Sequence, residues 1–294
     1  MANIPTPERG PVHTEVVEDL ATLRERIHGW KRSDLRIGFV PTMGNLHAGH
    51  ASLVRLARAH CDRVVASSFV NPTQFGAGED FGRYPRTPQA DIELLAGSGC
   101  DLLWRPSVDS MYPHGTDAAV QLRVPALTDV LEGAHRPGHF DGVASVVARL
   151  FNQVQPDVAV FGRKDYQQLA VIRRLVRDLS FPVEIVAGET IREADGLAMS
   201  SRNQYLSPQE RSRAADIHRV LLRMRDAAIG GQPHSRIEAD ANEALAAAGF
   251  KVDYAVLRTP ELQTPATSGA LVALVAARLG RTRLIDNLEF VIPD

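Results

Sequence analysis

The sequence is poor in cysteine, in net charge and in long apolar runs. Cys61 and Cys100 are its two cysteines in 294 residues. Two thiols without metal-ligand spacing exclude a disulfide-rich scaffold and a cysteine zinc site, and we read both as reduced and semi-buried. The longest apolar run near the C-terminus, Ala270 to Ala277, is far too short to span a bilayer, so no membrane association is expected. Met1 to His13 carries three prolines and no apolar run, so it does not read as a signal peptide. A reduced, cytoplasmic protein is expected. A formal net charge of −2 supplies no global basic field and argues against a nucleic-acid partner. A local basic pocket can still hold an anionic substrate. What is present, 44% hydrophobic and 23% charged residues, is ordinary for a packed globular chain.

From about residue 35 short apolar runs alternate with helical patterns. Strands are expected at 36–40, 63–69, 101–104, 158–161 and 183–186, and helices at 48–60, 88–96, 143–154 and 166–178. That alternation implies a parallel sheet with helices on both faces. The pattern changes after about 187. Ser207-Pro-Gln-Glu210 is a serine cap, a first-turn proline and an acidic third residue, and it starts a helix running to about Ile229. Gly230 to Pro233 breaks that helix, and a second follows over 234–248. Strands at 251–257, 271–277 and 282–290 then have no helices between them. The expectation is an α/β domain over 1–186 and a smaller α+β domain over 187–294, with helices and a small antiparallel sheet. Gly76-Ala-Gly78 and Thr264 to Gly269 read as mobile loops.

Four segments carry residues suited to chemistry. His47-Ala-Gly-His50 follows the first of these strands and opens a helix, where free N–H groups and the positive dipole end favour phosphates. Histidines three apart share one side of the first turn and can donate to phosphate oxygens as a leaving pyrophosphate gains charge; the alternative is a pair that merely caps or packs. Gly49 leaves room for a base or ribose. Phe161-Gly-Arg-Lys-Asp-Tyr-Gln-Gln168 also lies at a strand end. Gly162 permits close backbone approach and Lys164 suits a phosphate. Asp165 can cap the next helix or accept from a ribose hydroxyl, and Gln168 can bind a hydroxyl or carboxylate. Ala198-Met-Ser-Ser-Arg-Asn203 sets two hydroxyls and an arginine in a short loop, suited to triphosphate and common also in plain turns. Phe69-Val-Asn-Pro-Thr-Gln-Phe-Gly76 places the neutral amides Asn71 and Gln74 between aromatics, which fits a hydroxy acid; a turn set by Pro72 explains it equally. Glu132 to Asp141 gathers two histidines and an arginine before an apolar helix, as either a substrate loop or a surface loop. Asp91, beyond Tyr84-Pro-Arg-Thr87, can help hold a magnesium ion.

With these segments in order, the sequence resembles the pantoate–β-alanine ligase family of the H-x-G-H nucleotidyltransferase superfamily. The matching segments are 41–50, 69–76, 84–88, 136–140, 161–169 and 191–203. The resemblance implies a Rossmann-like nucleotidyltransferase domain, a C-terminal lid domain, Mg2+ with ATP, and a homodimer. It implies that pantoate attacks the α-phosphate of ATP to give pantoyl adenylate and pyrophosphate, and that β-alanine then displaces AMP. By position, Met43, Gly44, Asn45, Leu46, His47, Ala48, Gly49 and His50 line the ATP site, joined by Gly162, Arg163, Lys164, Asp165, Ile191, Met199, Ser200, Ser201 and Arg202. His50, His47, Lys164 and Arg202 carry the chemistry, and Gln74, Gln168 and Asn71 bind substrate. Arg163 stands where the family usually has glutamate, and so adds charge beside the nucleotide or points to solvent. Asn45 and Ala48 replace the commoner alanine and glutamate. The competing readings are a nucleotidyltransferase that adenylylates a phosphoester, an aminoacyl-tRNA synthetase fragment, and a non-catalytic nucleotide-binding regulator.

Overall fold

Asp19 opens an element that apolar spacing alone did not announce. Its carboxylate accepts from the amides of Ala21 and Thr22 and caps a helix that buries Leu23 and Ile27, one turn apart. In the computed structural model, which describes residues 13–76, 79, 81–266 and 268–292, the elements run β1 (Glu15–Val17), α1 (Leu20–Arg32), β2 (Ile37–Thr42), α2 (Ala48–His60), β3 (Arg63–Ser68), α3 (Pro88–Ser98), β4 (Leu102–Trp104), α4 (Val108–Met111), α5 (Glu132–His135), α6 (His139–Val154), β5 (Val158–Gly162), α7 (Tyr166–Asp178), β6 (Glu184–Gly188), α8 (Pro208–Ala214), α9 (Asp216–Ile229), α10 (His234–Ala247), β7 (Lys251–Arg258), β8 (Gly269–Leu279) and β9 (Thr282–Ile292). Single 3-10 turns cover Pro72–Gln74, Phe81–Arg83 and Ser201–Tyr205. The reading of Met1 to His13 lies outside the described residues for all but its last position. So do Ala77, Gly78 and Thr267 of the two expected loops.

The described residues form two compact units. The first takes those up to Thr128, with Pro137–Gly162 and Val171–Gly188. Its six strands are all parallel, in the order β1-β4-β3-β2-β5-β6. Alternate side chains face opposite sides of the sheet, and β2 shows what each side meets. A Cβ at Gly38 would touch Ala57 of α2 and Cys61, the residue that follows it, while Phe39 packs edge-on against Phe151 of α6. Helices therefore cover both faces, the Rossmann-like arrangement expected. Val40, Val54, Val64, Leu103 and Val160 make up part of the core beneath α2 and α3. Both tryptophans, Trp30 and Trp104, belong to this unit, and the buried Trp104 donates to Gln153 at 3.0 Å.

The second unit holds Glu189–Asp294 together with Asp129–Arg136 and Arg163–Ala170. Its sheet is antiparallel, β7-β8-β9. The capping box at Ser207 and Glu210 is present, and the helix expected to Ile229 is interrupted at Ala215. Leu221, Met224, Leu245, Leu257 and Val275 contribute to the core of α9, α10 and the sheet. Along β9, Leu284 joins that core, with Leu288 and Phe290 packed against it. Arg283, Asn287 and Glu289 sit on the alternate face. Among the described residues no helix is long and apolar enough to cross a membrane.

Candidate active site

Strand order in the first unit reverses between β2 and β5, and in open parallel sheets ligands bind at the carboxyl ends flanking such a reversal. The β2 end leads into the histidine motif. Thr42 donates its hydroxyl to the Ser67 carbonyl at 2.6 Å and accepts from the Gly44 amide at 3.1 Å. Gly44 (φ 80°) and Asn45 (φ 50°) both take left-handed backbone, which glycine and asparagine tolerate best. Asp91 holds this turn from α3. Its carboxylate accepts from the amides of Asn45 (3.0 Å) and Leu46 (2.8 Å) and from the Thr87 hydroxyl (2.9 Å). Asp91 is only 3% exposed. Asp91, expected to help hold magnesium, directs its oxygens to two backbone amides and one hydroxyl. Among the described residues no group of three or more His, Cys, Asp and Glu side chains could hold a metal ion.

His47 is the N-cap of α2, and the two histidines form a reciprocal capping box. The His47 Nδ1 accepts from the Gly49 amide at 3.1 Å, and the His50 Nδ1 accepts from the His47 amide at 3.2 Å. A ring nitrogen that accepts carries no proton, so in each ring the proton lies on Nε2, which is then a donor. The ring centroids are 4.2 Å apart. The room at Gly49 is filled by His47 itself: a Cβ there would stand 2.8 Å from the His47 Cε1. Met43 and Gly44 also border a cavity of about 390 Å³, whose other walls include Ser68, Arg86, Asp91 and Arg105.

Gln74 and Asn71 form a buried amide pair at the end of β3, 8% and 1% exposed. Gln74 donates to the Met43 sulfur at 3.1 Å and accepts from the Asn71 Nδ2 at 3.2 Å. The other contacts of Asn71 are structural. Its oxygen accepts from the Tyr112 hydroxyl (2.6 Å) and the Thr73 amide (3.3 Å), and its nitrogen donates to the Gly142 carbonyl (3.2 Å). Burial pushes the Tyr112 phenol above its usual range. Two further partners come from α6: His139, which lies in the 132–141 stretch expected as a substrate or surface loop, and Gly142, which carried no expectation in the sequence. The His139 Nδ1 contacts the Gln74 carbonyl at 2.8 Å. Gly142 lets α6 approach so closely that a Cβ there would meet the Thr73 carbonyl oxygen at 2.5 Å. For Gly142 the available signal was a glycine at the start of the apolar run expected as a helix over 143–154.

In the second unit, Lys164 lies 3.8 Å from the Asp165 carboxylate, and Gln168 sits half-buried on the first turn of α7. Asp165 contributes its carbonyl to the amide of Leu169. Arg163, the departure from the family pattern, is paired with Glu189 and Glu289 at 3.0 Å each. Its charge is matched locally. Residues 191–199 form a tight antiparallel turn: Arg192 bridges Ala198, and the Met199 amide donates to the Ile191 carbonyl at 2.9 Å. Ser200 then caps the 3-10 turn through the Arg202 amide at 3.2 Å, and Asn203 donates to the Ala198 carbonyl. The loop Glu132 to Asp141 is divided between the units. Glu132 is buried in the second, paired with Arg136 and Arg283, and Gln167 bonds both its amide and the Val130 carbonyl.

Known proteins share this chain's sequence and fold almost end to end. A family model described as pantoate-beta-alanine ligase matches residues 15–289. Pantothenate synthetase of Xanthomonas euvesicatoria is 64% identical over 278 residues, covering 94% of this chain and 99% of the relative. That of Stenotrophomonas maltophilia is 64% identical over 277 residues, with the same coverage. Among solved structures, pantothenate synthetase from Thermus thermophilus superposes with a TM-score of 0.85 at 49% identity, over 94% of this chain and 99% of that one. The pantoate-beta-alanine ligase of Francisella tularensis, described as complexed with beta-gamma ATP and beta-alanine, superposes at 0.77 with 33% identity, over 94% and 97%. A strand-order reversal flanked by a histidine capping box, and relatives that match over nearly the whole length, lead to one conclusion: the chain belongs to the pantoate–β-alanine ligase family.

Proposed function

We propose that this ligase joins (R)-pantoate to β-alanine through a pantoyl adenylate, with the residue roles that follow. A pantoate carboxylate oxygen attacks the α-phosphorus of ATP, and the bond to the bridging oxygen breaks as pyrophosphate leaves. The β-alanine nitrogen then attacks the acyl carbon, loses a proton, and AMP departs with the carboxylate-derived oxygen. No protein nucleophile is needed. The chain's task is to align the reactants and to meet developing negative charge with fixed donors.

The observation that carries this reading is the histidine pair, whose Nδ1 atoms accept from backbone amides and whose Nε2 atoms are donors. His47 and His50 direct those donors at the phosphates, with Lys164 and Arg202 supplying positive charge. Met43 to His50, Gly162 to Asp165, Ile191 and Met199 to Arg202 hold ATP. Gln74 contacts pantoate and β-alanine, Gln168 contacts pantoate, and Asn71 acts by fixing the Gln74 amide. Magnesium enters with ATP as Mg–ATP, the substrate form. Residues 187–294 act as a lid. A homodimer in the cytoplasm completes the proposal and rests on the family resemblance; a single-chain mass by light scattering would remove the dimer.

The test is direct. Mixing ATP and pantoate should release pyrophosphate only to the extent of enzyme-bound adenylate, and adding β-alanine should give AMP and pantothenate in equal amounts. Catalytic ATP turnover without pantoate, or a dinucleotide product, would overturn the reading.

A further inference from the structure

Two adjacent residues of β9 each hold an earlier stretch of the second unit, one at Arg163 and Lys164 and one at Arg192. The Asn287 Nδ2 donates to the carbonyls of both Arg163 (3.0 Å) and Lys164 (2.8 Å). Asp286 takes the Arg192 guanidinium on both oxygens, at 2.6 and 3.0 Å. Both residues are 4% exposed, so these partners replace water. Their side chains leave opposite faces of the strand, and each reaches a different segment.

The geometry sets backbone direction as well as proximity. In a planar trans peptide the N–H points opposite to the C=O. Two successive carbonyls aimed at one amide group therefore turn the N–H groups of Lys164 and Asp165 away from Asn287, and fix the bond from which the Lys164 side chain leaves. On the other side, Arg192 also donates to the Gly196 carbonyl at 3.0 Å. Asp286 thus anchors the turn whose closing bond, Met199 to Ile191, leads into Met199–Arg202. We propose that Asp286 and Asn287 are positioning residues for ATP: Asn287 aligns the Gly162–Asp165 segment, and Asp286, through Arg192, aligns the Met199–Arg202 segment. This rests on the assignment of those segments to ATP made above.

Four variants of the full-length chain separate the possibilities. They are Asn287→Asp, which keeps the shape and removes the donor; Asp286→Asn, which weakens the grip on Arg192; Lys164→Ala; and Leu245→Ala, a cavity in the core of the same unit. Binding of a non-hydrolysable ATP analogue is measured by calorimetry, half-saturating β-alanine by turnover, and stability by denaturant. Asn287→Asp and Asp286→Asn should each weaken the analogue about tenfold while half-saturating β-alanine stays within about twofold, and Leu245→Ala should lose stability without losing analogue affinity. Should either β9 variant fail to fold, Asn287→Ser, which retains one donor, carries the same measurement at smaller effect. If Lys164→Ala weakens binding while both β9 variants bind normally, the positioning role is wrong and the ATP assignment stands. If Lys164→Ala also binds normally, the ATP assignment itself falls, and this proposal with it. If Leu245→Ala weakens binding as much as the β9 variants, general loosening explains the effect and the positioning role is again wrong.

Discussion

His50 does two things at once: its Nδ1 closes the capping box on the His47 amide, and its Nε2 proton points the other way. The two roles make separable predictions. Replacing His50 with alanine should slow adenylate formation by on the order of 10²-fold, the scale of a lost charge-stabilising donor, and should lower stability by about 1 kcal/mol for the lost cap. Single-turnover pyrophosphate release and a denaturant melt read the two; near-normal release would sink the assignment. The histidine pair was legible in the sequence because both partners lie within one turn that follows a strand. Asp91 was not, since the amides it binds are 45 and 46 residues upstream, and a carboxylate near a phosphate motif reads as readily as a metal ligand. Arg163 was legible as a departure, yet Glu289, one of the carboxylates that pairs with it, lies in the last strand.

At the level of elements, α6 and the 3-10 turn Pro72–Gln74 work as one support for Gln74. The contact depends on the bare backbone of Gly142, because an added Cβ would meet the Thr73 carbonyl and the Gln74 Cα at 2.5 and 2.8 Å. Backbone cannot swing aside as a side chain can. Gly142→Ala should therefore destabilise the protein by about 1–3 kcal/mol, the usual cost of overpacking, and should raise the half-saturating pantoate concentration by moving Gln74. Unchanged pantoate dependence in a destabilised variant would separate the support from the site. The strands and helices from residue 35 onward were readable because periodicity runs through them. The N-terminal pair, β1 and α1, was passed over: β1 spans three residues, too few to alternate, and α1 buries only Leu23 and Ile27. Its clearest mark was the cap at Asp19.

On the scale of the whole molecule, the chain crosses between its units several times, and composition gives no sign of it. Asp129–Arg136 and Arg163–Ala170 belong with residues that come far later, through Glu132 to Arg283 and Tyr166 to Glu289. One titration isolates the second unit. Burial is the first cause that lowers the His218 imidazole below its usual value, followed by the Arg192 charge; Asp286, 3.9 Å away, opposes them, and Arg225 adds to them. The unfolded chain therefore binds a proton that the folded one refuses, so stability should fall as pH drops below about 6.5 toward the lowered folded value. His218→Gln should flatten that decline. Far-UV circular dichroism is the probe, since both tryptophans lie in the first unit; an equally steep decline in the variant would clear His218 of the effect. The grip of β9 on earlier segments also bears on the order of synthesis. Tyr166 leaves the ribosome 123 residues before Glu289, a delay of roughly 6–25 s at ordinary elongation rates. Through that interval Glu132, Arg163 and Tyr166 have no strand to bind, so the nascent chain must tolerate a first unit beside an unfinished second one. A C-terminal fragment cut at Glu189 could not repair the deficit from its own sequence.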